Sequence, residues 1–237
     1  MTPQDAQPLT EALRNHNQPL LLFFPRLTLR DVWRLTRQAP PGRRLRTFIR
    51  KLFHWRMNLR IATWQLLTHP GWWRTGLWEY VHTSVLIPLS GHPPPELRWT
   101  LLESTFPDGV ELKDPEPKLA AFHGVATAVP PRWPPELGAC DRLLSWAHEI
   151  EGLPYDTGAA AASVLDLNLD GEGRFCSDVG ANAWQLLGLL PEYVMHPNHR
   201  SGELRKTEMQ PRRWTPCEFA AELGAIAWEH AINVKAR

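Results

Sequence analysis

The chain has 237 residues, of which 43% are apolar, and a formal net charge of +1. This length and composition suit one large domain, or one domain with an appendage, and exclude a disordered chain. Three cysteines without a C-x-x-C pair argue against a disulfide framework and a zinc site. No segment reaches the roughly 18 apolar residues of a membrane span. We expect no metal and no organic cofactor.

The N-terminal third is strongly basic. Residues 1–75 contain thirteen Lys and Arg against three Asp and Glu. Residues 1–38 read as helical pieces, one of them capped by Thr28 with Asp31 three residues on. Residues 43–67 show a rough helical stripe of apolar residues flanked by arginines. We predict a basic, Trp-containing helical extension over residues 1–75, followed by a second domain over residues 76–237.

Four surfaces could bind this extension. Arginines and tryptophans beside an apolar stripe could contact an anionic membrane surface or a partner protein through residues 43–80. A nucleic acid is the least favoured partner. Packing on the rest of the chain is preferred, because the remaining residues carry an excess of acidic side chains. The N-terminus lacks the order of a signal peptide, so we expect a cytoplasmic protein or one delivered without a classical signal.

The middle of the chain predicts a small antiparallel sheet. "EYVHTSVLIPLS" and "LRWTLLESTF" are rich in β-branched and apolar residues, and the second is followed by the turn "PDG" and by "VELKD". The candidate strands cover residues 79–90, 97–106 and 120–131. Helices are predicted over residues 139–152, after Cys176, and from "TPCEF". In the last of these, Thr215 and Glu218 form a capping box, and Pro216 suits the first helical position. The order of elements predicts an α+β fold.

The stretch "GRFCSDVGANAWQLLG" (173–188) predicts a helix that begins at Ser177 or Asp178. Cys176 would then lie at the N-terminus of that helix. The helix dipole and free N–H groups there would lower the pKa of the thiol, and the same groups could stabilise an oxyanion. The alternative is a structural cysteine packed against the sheet. Helix geometry alone favours this alternative.

A nucleophilic cysteine requires a base and a group that orients the base. His82 lies inside the first predicted strand. Glu103 lies in the next strand and, by alternation, shares the face of Trp99 and Leu101, which should be buried. A hydrogen bond from His82 would compensate a carboxylate facing the core. The alternative, a solvated Glu103 and a core histidine, is equally compatible with the sequence.

The ordered set "EYVHTSVLI", "LLESTFPDGV", "GLPYD", "RFCSDVGANAWQLLG" and "TPCEFA" resembles the circularly permuted NlpC/papain-like cysteine hydrolases, the YiiX-like group. The resemblance covers about residues 78–228. It implies a permuted papain-like (NlpC-type) fold, with a small antiparallel sheet packed on helices. It also implies that Cys176 is the nucleophile, His82 the general base and acid, Glu103 the orienting group, and Tyr155 a residue that lines the site and helps to hold the oxyanion.

The same resemblance implies a peptide or acyl substrate. An amide or peptide bond is favoured, with bacterial cell-wall peptides first, and the many Arg, Ala, Pro and Trp residues suggest a bacterial or phage origin. A lipid ester hydrolase or acyltransferase is the alternative within enzymes. A catalytically inactive binding or structural module of the same fold is the alternative outside them.

Other motifs are weaker. "DLNLDG" (166–171) begins like a calcium loop, but its twelfth position is Ser177 rather than glutamate, so a polar turn is expected. His123 is a rival base without a nearby carboxylate. Cys140 and Cys217 are expected to be packed thiols.

Overall fold

The structure is a computed structural model. It describes residues 7–8, 11, 13, 18–68, 80–89, 98–121, 126–131, 133–163, 172–190, 193–197, 204–208, 216, 219–220 and 231–235. The proposed cap residues Thr215 and Glu218, the 166–171 loop, His123 and Cys217 therefore lie outside the described residues.

Nine strands and six α-helices occupy the described ranges. The strands are β1 (Gln7–Pro8), β2 (Leu20–Pro25), β3 (Tyr80–Pro88), β4 (Trp99–Thr105), β5 (Gly109–Lys113), β6 (Ala126–Val129), β7 (Tyr193–Pro197), β8 (Leu204–Glu208) and β9 (Ile232–Lys235). The helices are α1 (Leu29–Gln38), α2 (Arg44–Thr68), α3 (Pro115–Ala121), α4 (Ala139–Ile150), α5 (Thr157–Ser163) and α6 (Cys176–Leu186).

Seven of the strands form one sheet in the order β1-β9-β6-β2-β3-β4-β5, and β7 pairs with β8 in a separate hairpin. Every pairing in the large sheet is antiparallel except that of β1 with β9. The α+β class is therefore confirmed. One sheet face packs against α4 and α6, and the residues of the other face form a second apolar cluster around Leu22, Phe24 and Leu86.

Strand β2 corrects the prediction that the first 75 residues are only helical. Its sequence "LLLFFP" is buried from Leu20 to Phe24, and it pairs with β3 on one side and β6 on the other. A short continuous apolar run suits a strand that is covered on both faces, and periodicity cannot distinguish it from a buried helical turn. The predicted boundary after residue 75 therefore does not separate the sheet from what precedes it.

Among the other predicted elements, some agree with the structure and one differs. The capping box is confirmed, because the Asp31 N–H donates to the Thr28 hydroxyl and the Thr28 N–H donates to the Asp31 carboxylate. The strand predicted over residues 120–131 is too long at its start, because α3 continues to Ala121 and β6 begins only at Ala126. Among the described helices, none combines the length and the apolar character of a membrane span.

The neighbouring strands β3 and β4 separate at one end. Their ladder runs from Val85 paired with Leu102 to Pro88 paired with Trp99, and among the described residues it has no earlier pair. The segment before α6 approaches both strands at this opening. The Ser104 hydroxyl donates to the Arg174 carbonyl at 2.7 Å, and the Thr83 hydroxyl donates to the Cys176 carbonyl at 2.9 Å. These two bonds hold the start of α6 against the opening.

A test of the β2 position compares two phenylalanines. Phe23 is fully buried, with ring centroids 5.5 Å from Tyr80 and 5.7 Å from Phe219, whereas Phe53 on α2 is 51% exposed. Phe23→Ala should lower the free energy of unfolding by about 3–5 kcal/mol, because it leaves a cavity in the core. Phe53→Ala should change it by less than about 0.5 kcal/mol. Urea unfolding measures both, and equal small effects would contradict a β2 at the centre of the sheet.

Candidate active site

Cys176 is the first residue of α6 and is 5% exposed. The preceding residue, Phe175, is extended, with φ −125° and ψ 168°, so the chain turns into the helix at the cysteine itself. The sulfur accepts hydrogen bonds from the backbone N–H groups of Ser177 and Thr83. The second of these comes from the part of β3 that is not paired with β4. The thiol therefore lies where a helix start and an open strand edge both supply donors.

His82 lies across the opening from the thiol. Alternation along β3 places it on the face of Ser84 and Leu86, away from the helix α6, and its ring contacts Phe24 with a centroid distance of 5.4 Å. Its Nε2 lies 3.5 Å from Glu103 Oε2 and 3.2 Å from Ser84 Oγ. A hydrogen bond links the imidazole to Cys176. Because Nε2 faces Glu103, we assign Nδ1 to the thiol.

Glu103 is fully buried, as alternation predicted, and the solvated alternative is wrong. Its Oε2 lies 2.7 Å from Lys118 Nζ on α3, and its Oε1 lies 3.3 Å from Lys113 Nζ on β5. Burial alone would raise the pKa of this carboxyl. The hydrogen bond from His82 and the charge of Lys118 outweigh burial and lower the pKa to about 2. Glu103 is therefore ionised throughout the physiological range.

The environment favours charge separation between Cys176 and His82. Burial disfavours the thiolate, but the hydrogen bond and charge of His82, with the two backbone N–H groups, lower the pKa of the Cys176 thiol below its usual value. Burial likewise disfavours the imidazolium, yet the hydrogen bonds to Cys176 and Glu103 outweigh it and raise the pKa of His82. Both directions favour a thiolate–imidazolium pair, which is the reactive form of a cysteine nucleophile.

Tyr155 completes the set of four predicted residues. It forms an isolated parallel bridge with Arg174, two residues before the thiol, and its ring lies edge-on to Phe106 at 6.2 Å. Burial, then the charges of Cys176 and Asp156, raise the pKa of the Tyr155 hydroxyl well above its ordinary value, while that hydroxyl is hydrogen-bonded to the thiol. The phenol therefore keeps its proton and can donate it to a negatively charged atom near the sulfur.

Four contributors to this site were not predicted from the sequence. Ser84 could have been found, because it is two residues from His82 on the same strand face. The backbone N–H of Thr83 depends on where the β3–β4 ladder stops. Lys113 and Lys118 give no sequence signal, because they look like ordinary surface lysines until the pairing of β5 with β4 and the position of α3 place them beside Glu103.

The described residues offer no set of three or more His, Cys, Asp or Glu side chains that could hold a metal ion. Cys140 on α4 is a half-buried thiol, and burial together with Asp141 raises its pKa. Comparisons with protein-family models, with curated protein sequences and with solved structures find no match to this chain. The chemistry of the site must therefore be argued from its own geometry.

Thiol reactivity tests the pairing of Cys176 with His82. At neutral pH, iodoacetamide should alkylate Cys176 well before Cys140, because the pKa values of the two thiols shift in opposite directions. His82→Ala should raise the pH at which Cys176 alkylates and slow the reaction at pH 7 by about tenfold or more. The exposed His148→Ala is the matched control. An unchanged pH profile for His82→Ala, read by peptide mass spectrometry, would remove His82 from the site.

Glu103 supplies a test by acid unfolding. A carboxyl whose pKa falls from 4.5 to about 2 on folding adds about 3 kcal/mol of stability above pH 4.5, and this is lost as the pH falls through 2. Glu103→Gln should lower the free energy of unfolding at pH 7 and flatten its fall between pH 5 and pH 2. The control is Glu136→Gln, at an exposed position paired only with exposed Arg142 among the described residues. Parallel stability curves for wild type and Glu103→Gln would contradict the pKa assignment.

Proposed function

We propose that this chain is a cysteine hydrolase with a permuted papain-like (NlpC-type) fold, which cleaves an amide or peptide bond through a thioester intermediate. The observation that carries the proposal is the contact of a helix-start thiol, an imidazole and a buried ionised carboxylate in that order. The fold assignment rests on a helix that begins at the cysteine and packs on an antiparallel sheet whose neighbouring strands carry the other two residues.

The first half of the reaction forms the thioester. His82 holds the proton of the Cys176 thiol, and the sulfur adds to the substrate carbonyl carbon. The carbon becomes tetrahedral, and its oxygen becomes an oxyanion. The N–H groups at the start of α6 and the Tyr155 hydroxyl, which lie beside the sulfur, stabilise that oxyanion. The carbon–nitrogen bond then breaks, His82 gives its proton to the leaving amine, and the acyl group remains on the sulfur.

The second half returns the enzyme to its starting state. His82, now neutral, removes a proton from water, and the resulting oxygen nucleophile attacks the thioester. The carbon–sulfur bond breaks, a carboxylic acid leaves, and the thiolate–imidazolium pair forms again. Glu103 keeps its charge throughout, because the hydrogen bond from His82 and the charge of Lys118 hold its pKa low. It orients the imidazole and is not a proton carrier.

Two substrate classes fit this chemistry. A peptide or amide, with bacterial cell-wall peptides first, follows from the family resemblance. A lipid ester or acyl-transfer substrate gains support from α2, whose outward residues include Phe53, Met57 and several arginines. Both classes pass through the same thioester on Cys176, so the identity of the acyl group distinguishes them.

The proposal predicts a covalent intermediate at one sulfur. A panel of activated amide and ester probes should acylate Cys176, and the mass of the adduct should fall back as water releases the acid. Cys176→Ala should give no adduct, and His82→Ala should form it and release it at least a hundredfold more slowly. Cys140→Ala is the matched control and should behave like wild type. Slow, equal labelling of Cys176 and Cys140 would support a non-catalytic module instead.

A further inference from the structure

Helix α2 turns its large apolar side chains outward. Positions spaced four residues apart lie on one helix face, and four such positions in α2 carry large apolar side chains that are at least 41% exposed. The series consists of Leu45, Ile49, Phe53 and Met57, and Leu67 extends it at 70% exposure. A contiguous apolar row of this kind on a protein surface marks an interaction site more often than chance exposure does.

The same face carries cations that the described chain does not neutralise. Arg46, Arg50, Arg56 and Arg60 are exposed, and helical spacing places them between and beside the apolar row. Helix α2 contains no Asp or Glu. Within the described residues, none of the four arginines forms an ion pair. These arginines are therefore solvated as far as the described residues go.

The opposite face of α2 is the one that packs on the molecule. Ala62 and Gln65 are buried, and α2 contacts α1 and strand β3. Lys51, on the inner side, has its pKa lowered by burial and by the charges of Arg50 and Lys118. The packing side of the helix thus lies near the lysine that contacts Glu103, and the apolar and arginine-rich side is left facing outward.

We propose that this outward face of α2, defined by the apolar row and the four arginines, binds an anionic lipid surface. A helix of 25 residues is about 37 Å long, so the face can lie along a membrane interface. Aliphatic and aromatic side chains enter the boundary between headgroups and acyl chains, while arginines contact lipid phosphates. A nucleic acid would satisfy the arginines but would leave Leu45, Ile49 and Met57 in water, which is why lipid is the better match.

The proposal is independent of the hydrolase chemistry, because it uses no residue of the Cys176 site.

Flotation with lipid vesicles tests the proposal on the full chain. The protein should float with phosphatidylcholine vesicles that contain phosphatidylglycerol, and less with phosphatidylcholine alone, and added salt should weaken binding. The double variant Ile49→Asp, Phe53→Asp should bind at least tenfold more weakly. Leu137→Asp is the matched control, because Leu137 is a fully exposed leucine outside α2. Circular dichroism should show that the variants remain folded.

A second pair of variants separates charge from apolar contact. Arg56→Gln with Arg60→Gln should weaken binding by about fivefold for each arginine removed. The control is Arg98→Gln with Arg142→Gln, two exposed arginines outside α2. Cys176→Ala should bind like wild type, so a failure of the catalytic proposal leaves this result unaffected.

Three results would overturn the proposal. These are no flotation with anionic vesicles at low salt, flotation that the α2 variants leave unchanged, and a dimer in light scattering that Ile49→Asp with Phe53→Asp dissolves while vesicles remain unbound. The last result would assign the face to a second copy of the chain.

Discussion

The opening between β3 and β4 is the constraint on which the site depends. Two strands that stay paired present no free backbone donor to a side chain between them. Here the ladder ends at Val85 and Leu102, and the N–H of Thr83 is directed at the sulfur of Cys176. The thiol belongs to a helix on one side of the sheet, whereas His82 and Glu103 project from the other side. They meet only because the sheet is open at this point.

The charges around Glu103 show a balance between stability and reactivity. A buried carboxylate is costly unless it is paired, and this one has two lysines as well as the imidazole. The lysines keep Glu103 ionised, but the charge of Lys118 also disfavours the imidazolium of His82. The net direction for His82 is still upward, because the hydrogen bonds to Cys176 and Glu103 outweigh burial and Lys118. Cys176 and His82 are therefore held as a thiolate and an imidazolium, and the lysines balance the negative charge of Glu103.

Much of this site, but not all of it, can be predicted from the sequence. The helix start at Cys176, the burial of Glu103 and the strand position of His82 follow from periodicity and alternation, which are local properties. Strand β2 was missed, because a six-residue apolar run has no period of its own. Lys113 and Lys118 were missed as well, since their role depends on which strand and which helix become neighbours of β4. Long-range pairing, rather than local pattern, is what the sequence alone did not reveal.

The two faces of the sheet pack against different helices, which contribute differently to the site. Helices α4 and α6 build the core around the thiol, whereas α2 packs on β3 and α3 brings Lys118 to Glu103. The N-terminal segment thus contributes to the sheet through β2 and lies near the site through α2. It is part of the fold as well as a candidate binding surface.

The ultraviolet absorbance of the thiolate reports directly on the proposed pairing of Cys176 with His82. It can be followed against pH in a chain where Cys140 and Cys217 are replaced by serine, so that only Cys176 contributes. We expect thiolate to form below the ordinary thiol pKa of 9.0, and His82→Ala to move its appearance to higher pH. A thiolate that forms only near or above pH 9, with or without His82, would rule out the thiolate–imidazolium pair.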